Sequence, residues 1–595
     1  MKERTTGARC ATRAVLAACA LAAGAALTPA MADATPLPAR LSPASPFPRV
    51  IACELTRETI APGIERAAYR ILTAAGPLRV ALLIADPANP WVRFDTVVAH
   101  DALGGELETV TSMALRTGAV GGINGDYYAV GSDRAPLGLV VRSGEVVHAG
   151  GARPGFAIGR DGSVRIGSFD DGDALEGVVT AIGGGPVLLR NGAVAGDAGS
   201  TNYAEREMRI PASVVVRFAS RTIGLIVVDG RSPAASIGVN RPELVALLRA
   251  LGAVDALLLD SGGSATLVAR VRGEEHPSIA NAPSDGAQRP VADGLFVYSD
   301  APIGPPAALV VRPARITALP GVRVRLTARL VDAAGHALGD AHGAWRVRSG
   351  AIARVDSSGI LRAGSHPGAD VLQLERDGIR AAVPVRVVPS VAHLTIGPSH
   401  ANPSSRQRLP LTVGAWDARG APIAIGDLAR WSARNARIDR HGRLDVAERD
   451  AFVTVRVGKT TASARIPVGW HVVPFPIAVR IGYDFSNGSR AAYARAMPPL
   501  VAGALLAVAC DVTGDGNGEA LRLAFVDRFG ARESVTLAPA IDFTGVRRLS
   551  IGGLVGLAPP LALRDVYVVG TLATPAIRVS GSVGVDRCTA TLAGA

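Results

Sequence analysis

Hydrophobic and polar positions follow two different patterns along this chain of 595 residues, and the change falls near residue 300. Between residues 50 and 300, apolar runs bounded by turn residues, such as 80–86, predict strands that alternate with helices. After Pro302 the pattern becomes one of short alternating strands, as in residues 322–329. We therefore expect a multidomain protein, with an α+β domain (a mixed sheet with helices) over 50–300, followed by all-β modules.

One helix is strongly marked within the first region. Asn240 is a candidate N-cap with Glu243 three residues later, and Gly252 follows the last apolar position. The apolar face between them consists of Leu244, Leu247, Leu248 and Leu251. We expect Glu243 to cap this helix rather than to take part in catalysis.

The region after residue 300 contains a repeat. Residues 306–389 and 390–470 each carry a tryptophan followed by a turn of the form Gly-x-Leu, at Trp345 and Trp431. The repeat predicts two tandem Ig-like sandwiches that resemble bacterial Ig-like domains. The remaining segment, 471–595, resembles a jelly-roll, carbohydrate-binding-like module.

The N-terminus has the features of an export signal. Basic residues precede the apolar run 14–27, and Ala30-Met31-Ala32 has the small-x-small pattern of a signal peptidase site. We expect a signal peptide over 1–32, a Pro-rich leader over 33–49, and a secreted or periplasmic protein. A lipobox ending at Cys19 would leave too short an apolar run. Since no later run approaches the length of a bilayer span, no membrane insertion is expected after signal cleavage.

Composition and charge argue for a globular protein and against a nucleic acid partner. The chain is 48% hydrophobic and 4% aromatic, and its 68 glycines and 40 prolines favour many turns between short strands. The net charge is +12, but lysine occurs only at Lys2 and Lys459, and the arginines are scattered through every segment. Because no basic stripe with interleaved aromatics is present, no nucleic acid partner is expected.

Cysteines and acidic loops bear on disulfides and metals. Cys510 and Cys588 lie in the same module and are able to pair in an oxidising compartment, whereas Cys53 is expected to be a buried small hydrophobe. No zinc spacing is present, and we expect no cofactor or metal to be required. A structural calcium is an option at Asp511, Asp515 and Asn517, although a hairpin turn is the favoured interpretation of that loop.

Candidate chemistry lies in glycine-rich loops between residues 110 and 300. Residues 121–128 end an apolar stretch in a turn that presents Asn124 and Asp126, an amide and a carboxylate suited to sugar hydroxyls. Gly183, Gly184 and Gly185 allow close backbone approach and offer N–H groups to an anion. This loop lacks the Lys-Ser/Thr of a Walker motif, and no helix follows it, so nucleotide binding is not supported.

Two apolar strands end in acidic residues. Residues 227–228 lead into Asp229 and Arg231, and residues 256–259 deliver Asp260 into a loop with Gly263 and Ser264. A carboxylate at the end of a buried strand, facing glycines, is a typical position for a working group. The loop lacks the last glycine of G-x-S-x-G, so Ser264 is expected to bind rather than to attack.

Six motifs in the order of the chain resemble the phosphodiester glycosidase family. They occupy residues 123–128, 183–189, 228–231, 243–253, 259–264 and 289–293, within about 250 residues. The chain departs from the family at three positions: Ser261 replaces a glycine, Asp293 replaces an asparagine, and Ala212 stands where the family has the arginine of a Pro-Arg-Thr motif. Arg209 and Arg217 are candidates to substitute for that arginine.

The resemblance implies hydrolysis of the bond between a sugar's anomeric carbon and phosphate, in a cell-surface or extracellular glycopolymer. A phosphomonoester, with its second pKa at about 6, leaves easily, so the site needs an anion clamp and a base or nucleophile. The implied catalytic residues are Asp260, Asp126 and Asp229. The implied substrate-binding residues are Asn124, Gly183, Gly184, Gly185, Arg231, Gly263, Ser264 and Arg289. The alternatives are that Asp229, Asp260 and Asn124 only fix loops, and that the whole chain is a catalytically inactive polysaccharide-binding surface protein.

Overall fold

The computed structural model describes residues 37–129, 133–150, 153–169, 175–195, 209–232, 235–397, 406–418, 421–486, 491–495, 500–501, 503–552, 559–570 and 580–594. The predicted signal peptide over 1–32 lies outside these residues. Within them, no helix is long and apolar enough to cross a membrane. The chain is a multidomain, predominantly β protein with few helices.

Eighteen strands between residues 50 and 299 build three sheets in the described part of the first domain. Their bounds are β1 (Val50–Ala61), β2 (Ile64–Thr73), β3 (Pro77–Ala85), β4 (Val92–Val98), β5 (Gly121–Asn124), β6 (Val140–Arg142), β7 (Glu145–His148), β8 (Pro154–Gly159), β9 (Val164–Ser168), β10 (Val178–Gly183), β11 (Val187–Arg190), β12 (Ala193–Val194), β13 (Ala212–Phe218), β14 (Ile223–Val228), β15 (Ala253–Leu258), β16 (Leu267–Arg270), β17 (Pro277–Ile279) and β18 (Asp293–Ser299). The strand orders are β1-β2-β3-β14-β13-β15-β11-β12, β7-β6-β10-β8-β9 and β17-β16-β5-β18-β4.

The expectation of a mixed sheet is wrong, because every pairing between described strands of this domain is antiparallel. Three residues join β2 to β3, and four join β13 to β14. Such short connections join only antiparallel neighbours. The apolar run at 80–86 is a strand as predicted, but its neighbours along the chain are strands rather than helices.

Two α-helices lie in the described part of this domain, α1 (Val110–Thr117) and α2 (Arg241–Ala250). The prediction for α2 is confirmed: Asn240 accepts from the N–H of Glu243, and the Glu243 side chain accepts from the N–H of Asn240. Gly252 follows with φ of 88°, which glycine adopts without strain. Glu243 is therefore a capping residue.

The eight-stranded sheet is covered on both faces. One face packs on the two five-stranded sheets, where Leu83 and Val227 meet Ile123 and Phe156. The other face is covered by α2 and by residues of the leader. Tyr69, fully buried on that face, donates a 2.8 Å hydrogen bond to the C=O of Pro38. The described part of the leader, from residue 37, is thus packed against the domain.

The described part of the rest of the chain consists of β-strands joined by loops, with a short 3-10 helix at Gly426–Leu428. Strands β19 to β28 are Pro306–Arg312, Ile316–Ala318, Arg323–Arg325, Thr327–Asp332, Ala337–Asp340, Ala344–Val347, Ala353–Val355, Ile360–Ala363, Gly368–Arg376 and Ile379–Val387. Strands β29 to β36 are His393–Gly397, Arg408–Pro410, Thr412–Trp416, Arg430–Arg434, Ala436–Ile438, Arg443–Val446, Ala451–Val457 and Thr460–Ile466. Each group forms three small sheets, and the two groups share one apolar cluster.

The C-terminal module consists of two five-stranded sheets that enclose one core. Strands β37 to β46 are Trp470–Phe475, Val479–Asp484, Ala491–Arg495, Leu500–Val501, Leu505–Asp515, Ala520–Val526, Arg532–Ala538, Thr544–Gly552, Leu561–Val569 and Ser580–Ala593. Cys510 and Cys588 form a disulfide between β41 and β46, and Cys53 is free. The expectation of a hairpin at 511–518 is wrong, because β41 and β42 belong to different sheets.

Candidate active site

Three strand ends from two facing sheets meet at one edge of the first domain. Asp126 follows β5, Asp293 begins β18 beside it, and Asp260 follows β15 of the eight-stranded sheet. The N–H of Asp126 donates to Oδ1 of Asp293 at 2.9 Å, and the N–H of Asp260 donates to the C=O of Gly125 at 2.9 Å. Two predicted catalytic aspartates, Asp126 and Asp260, are therefore brought together, with Asp293 as a third.

Asp126 and Asp293 form a buried carboxyl pair. They are 1% and 0% exposed, and within the described residues Oδ2 of each carboxyl has no hydrogen-bond partner. Burial raises the pKa of Asp126, against the opposing charge of Arg153, whose Nη2 lies 3.0 Å from Oδ1. Burial, and then the charges of Asp126 and Asp260, raise the pKa of Asp293 well above its usual range. The pair therefore retains a proton at a pH where exposed aspartates are ionised.

Glycines make the room for this pair. A Cβ on Gly125 would lie 2.3 Å from Oδ1 of Asp293, and a Cβ on Gly138 would lie 2.5 Å from Oδ2 of Asp126. A Cβ on Gly183 would lie 2.7 Å from the same Oδ2. The glycine at position 183 therefore admits the Asp126 carboxyl.

The predicted anion cradle of N–H groups at 183–185 is corrected by the backbone hydrogen bonds. The N–H groups of Gly183, Gly184 and Gly185 donate to the C=O groups of Leu139, Pro154 and Leu258, at 2.7, 3.0 and 2.7 Å. Since each donor is used inside the fold, none of them faces an anion.

Asn124 links the strands that carry the aspartates. Its amide nitrogen donates to the C=O of Asp260 at 2.6 Å, and its Oδ1 accepts from the Ser213 hydroxyl and the N–H of Thr266. The side chain is fully buried. Asn124 therefore positions the strand end before Asp260, and its amide oxygen is already occupied by two donors.

Asp260 is half-buried and faces two polar groups. Its charge raises the pKa of Arg289 and the pKa of the Tyr128 hydroxyl, so both groups lie near it. Arg289 also pairs with Asp285 at 2.7 Å, and a Cβ on Gly263 would lie 2.0 Å from Nη2 of Arg289. Gly263 therefore allows the guanidinium to lie directly against the loop that follows Asp260.

Two hydroxyls in the same loop are buried. Oγ of Ser264 and Oγ1 of Thr266 have no hydrogen-bond partner among the residues that the structure describes. Both residues are fully buried. A buried hydroxyl without a partner is unfavourable, so both are positions at which a water or substrate group would be stabilised.

Asp229 and Arg231 lie at the end of β14 and hold neighbouring segments. Oδ1 of Asp229 accepts from the Asn281 side chain at 3.0 Å and from the N–H of Ala282 at 2.9 Å, and burial raises its pKa to about 6. Nε of Arg231 lies 2.7 Å from Oε2 of Glu533, in the C-terminal module. Both residues therefore have partners that organise the fold around the site.

Two of the three departures from the family pattern, at Ala212 and Ser261, remain to be placed in the fold. Ala212 begins β13, and Arg209 is paired with Glu243 at 2.6 Å, whereas Arg217 is paired with Asp255 at the far end of the strand. Neither arginine occupies the position of a residue at 212. Ser261 donates from its hydroxyl to the C=O of Leu259.

Metal ligands do not converge in the described part of the chain, where no group of three or more His, Cys, Asp and Glu side chains could hold a metal ion. At the loop considered for calcium, Asp511 lies 3.0 Å from Arg548 and 2.8 Å from Arg587. Asp515 accepts from the hydroxyl of Tyr483 at 2.7 Å. Asp511 is thus neutralised by two arginines.

Sequence reasoning missed two contributors to the site. Asp293 stands out in the sequence only as a carboxyl where the family has an amide, and the fold shows that this carboxyl lies beside Asp126. Arg153 lies outside all the motifs found in the sequence, and its hydrogen bond to Asp126 depends on the fold.

The fold and the site together define a predominantly β protein with a carboxyl-rich site at a strand edge. Residues 117–298 match the phosphodiester glycosidase family, and the chain therefore carries a domain of that family. An SPbeta prophage-derived uncharacterized protein of Bacillus subtilis strain 168 is 29% identical over 208 residues, which are 32% of this chain and 30% of that protein. The chain thus matches less than a third of that relative's length.

Two solved structures are similar to part of the chain. The catalytic domain of zebrafish N-acetylglucosamine-1-phosphodiester alpha-N-acetylglucosaminidase, auto-inhibited by its pro-peptide, has a TM-score of 0.33 and 21% identity, and the match covers 42% of this chain and 89% of that one. A putative exported protein of Burkholderia pseudomallei K96243 has a TM-score of 0.33 and 14% identity, with 44% and 99% covered.

Proposed function

We propose that this chain is a secreted hydrolase that cleaves the bond between a sugar's anomeric carbon and phosphate in a phosphodiester of a cell-surface or extracellular glycopolymer. The family of residues 117–298 supports the reaction type. The Cys510–Cys588 disulfide supports an oxidising compartment. The observation that carries the proposal is the arrangement of Asp260 beside Arg289, with the proton-retaining pair of Asp126 and Asp293 behind it.

The charges of the site suit an anionic substrate. Three ionised aspartates at one site would repel a phosphodiester, but the raised pKa values of Asp126 and Asp293 keep the buried pair at least partly protonated. Asp260, which is nearer to solvent, then carries the negative charge that acts on the sugar. Arg289 provides a positive charge for the phosphate.

The proposed reaction breaks the bond between the anomeric carbon and the bridging oxygen. The bond electrons go to the phosphomonoester, which is stabilised by Arg289 and needs little protonation because its second pKa is about 6. Asp260 stabilises the positive charge that develops on the sugar and accepts a proton from the water that attacks the anomeric carbon. The products are a free sugar and a phosphomonoester.

The test is turnover of a panel of sugar-1-phosphodiesters in water labelled with ¹⁸O. We expect sugar release with the label in the anomeric hydroxyl and none in the phosphomonoester, because the carbon–oxygen bond breaks. Label in the phosphomonoester would identify an ordinary phosphodiesterase and contradict the proposal. Binding of polysaccharide without release from any panel member would favour the alternative of an inactive surface protein.

A further inference from the structure

The C-terminal module contacts the edge of the first domain at which the candidate site lies. The N–H of Arg209 donates to the C=O of Gly530 at 2.9 Å, and the N–H of Arg532 donates to the C=O of Arg209 at 3.0 Å. Position 209 therefore forms a parallel β-bridge with Ala531, the residue that precedes strand β43. Backbone hydrogen bonds on both sides of one residue fix where the module sits.

A buried ion pair reinforces this contact. Nε of Arg231 lies 2.7 Å from Oε2 of Glu533 and donates to the C=O of Arg532 at 2.8 Å. Arg231 is only 9% exposed and lies against Gly262, in the loop that follows Asp260. The module thus reaches the loop of the candidate site, and it occupies an arginine that the sequence had suggested for phosphate binding.

Arg522 lies on the neighbouring strand β42 of the same sheet. Leu521 and Leu523, on either side of it, are fully buried in the core of the module, so Arg522 projects from the opposite face of the strand. Its charge reaches the hydroxyl of Tyr128 together with the charges of Asp260 and Arg289. Arg522 is therefore a residue of the C-terminal module whose charge lies near Tyr128, at the edge of the candidate active site.

Arg522 differs from three other arginines around the site because, among the described residues, it has no carboxylate partner. Arg231, Arg289 and Arg153 are each paired with a carboxylate, namely Glu533, Asp285 and Asp126. Nε of Arg522 is buried without a hydrogen-bond partner among the described residues, a property that it shares with Nε of Arg153 and with Nε and Nη2 of Arg532. A buried guanidinium donor without an acceptor is unfavourable, and an anion that accepts from it removes that cost.

We propose that Arg522 is a substrate-binding residue supplied by the C-terminal module, and that its guanidinium binds the phosphate group of the substrate at Asp260. The identity of that phosphate rests on the proposed function. The planar guanidinium of arginine matches two phosphate oxygens and remains charged at every physiological pH. Within the part of the chain that the structure describes, binding through Arg522 breaks no ion pair, whereas binding through Arg231 would compete with Glu533. The site is thus composed of residues from two modules, and Arg289 and Arg522 lie more than 200 residues apart in the chain.

The test compares full-length Arg522→Ala and Arg522→Lys with the wild type, using KM and kcat for sugar release and the Kd for inorganic phosphate by calorimetry. We expect Arg522→Ala to raise both KM and Kd by about tenfold to a hundredfold, with kcat changed less than about threefold, as for a lost charge-assisted hydrogen bond. Arg522→Lys keeps the charge and should fall between. Arg547→Ala, a 60% exposed arginine on the other sheet of the module, is the control and should change neither constant.

The outcomes separate this inference from the proposed function. Sugar release with KM and Kd unchanged in Arg522→Ala overturns the role of Arg522 and leaves the glycosidase intact. Phosphate binding that is lost in Arg522→Ala, with no sugar released by the wild type, supports the role of Arg522 and contradicts the glycosidase. A wild-type chain that binds no phosphate overturns the inference. If Arg522→Ala does not fold, the test rests on Arg522→Lys, which keeps the charge but lacks the planar guanidinium. Values of KM and Kd equal to those of the wild type in Arg522→Lys would then overturn the inference.

Discussion

The backbone N–H of Asp126 donates a 2.9 Å hydrogen bond to Oδ1 of Asp293, and this contact sets two buried carboxyl groups side by side. The hydrogen bond fixes the position of Asp293, while burial and the charge of Asp126 raise its pKa well above the usual range. The site therefore holds a proton that an exposed aspartate would lose at neutral pH, and replacement of Asp293 tests this directly.

Replacement of Asp293 by asparagine should stabilise the fold at neutral pH. The amide keeps the Oδ1 acceptor for Asp126 and removes the cost of a buried ionisable carboxyl. A gain of about 1 kcal/mol would raise the melting temperature of a domain of this size by about 2–4 °C at pH 7. The gain should shrink as the pH falls below about 3.9, the ordinary pKa of an aspartate, because the carboxyl is then protonated in both the folded and the unfolded state. A lower melting temperature at pH 7 would show that the carboxyl stabilises the fold.

Gly183→Ala should damage the site. The new Cβ would lie 2.6 Å from Cα of Gly138 and 2.7 Å from Oδ2 of Asp126, and backbone cannot move aside cheaply. We expect a loss of about 2–3 kcal/mol of stability in urea denaturation, and a fall in sugar release. The control is Gly167→Ala, which meets only the end of the Arg190 side chain at 3.4 Å. Equal stability of the two variants would argue against this packing.

The ion pair between Arg231 and Glu533 should contribute to docking of the C-terminal module. In a double-mutant cycle with Arg231→Met and Glu533→Gln, we expect a coupling energy of about 1–3 kcal/mol, because the pair is mostly buried. The exposed pair of Arg408 and Asp445 serves as the control, with an expected coupling below about 1 kcal/mol. A coupling energy for Arg231 and Glu533 no larger than the control value would show that the ion pair does not contribute to docking of the module.

Asp229 should make stability depend on pH. Burial raises its pKa to about 6 in the folded chain, so the unfolded state loses its proton first as the pH rises. Stability contributed by this group therefore falls between about pH 4 and pH 6, by up to about 3 kcal/mol, and is constant above that window. Urea denaturation of Asp229→Asn should lack this fall, whereas the exposed Asp300→Asn should retain it. An unchanged profile in Asp229→Asn would contradict the assignment.

Local features of the fold could be predicted because they depend on neighbouring residues. The capping box of Asn240 and Glu243 involves positions three apart, and the β modules are signalled by alternation with period two. The prediction of a mixed sheet is wrong because a short apolar run does not show whether a strand pairs parallel or antiparallel with its neighbour. The short connections that determine the strand direction have no hydrophobic pattern of their own.

The features of the site that could not be predicted from the sequence depend on contacts between residues far apart in the chain. Asp126 and Asp293 are 167 residues apart, and Arg231 meets Arg532 across 301 residues. The glycines at 183–185 show the same limit: their spacing suggested free N–H groups, but strand pairing and loop contacts use each of them. Gly183 makes room for Asp126 instead, a role that depends on the packing of Gly138 against it.

The most direct test of the glycosidase is sugar release from sugar-1-phosphodiesters by the wild type, Asp260→Asn and the surface control Asp300→Asn. All three must show the same melting temperature within about 2 °C, since a larger shift would indicate lost structure. We predict that Asp260→Asn loses at least about a hundredfold in kcat, as expected when a positioned base is removed, while Asp300→Asn retains full activity. A folded Asp260→Asn chain with wild-type turnover would contradict the account.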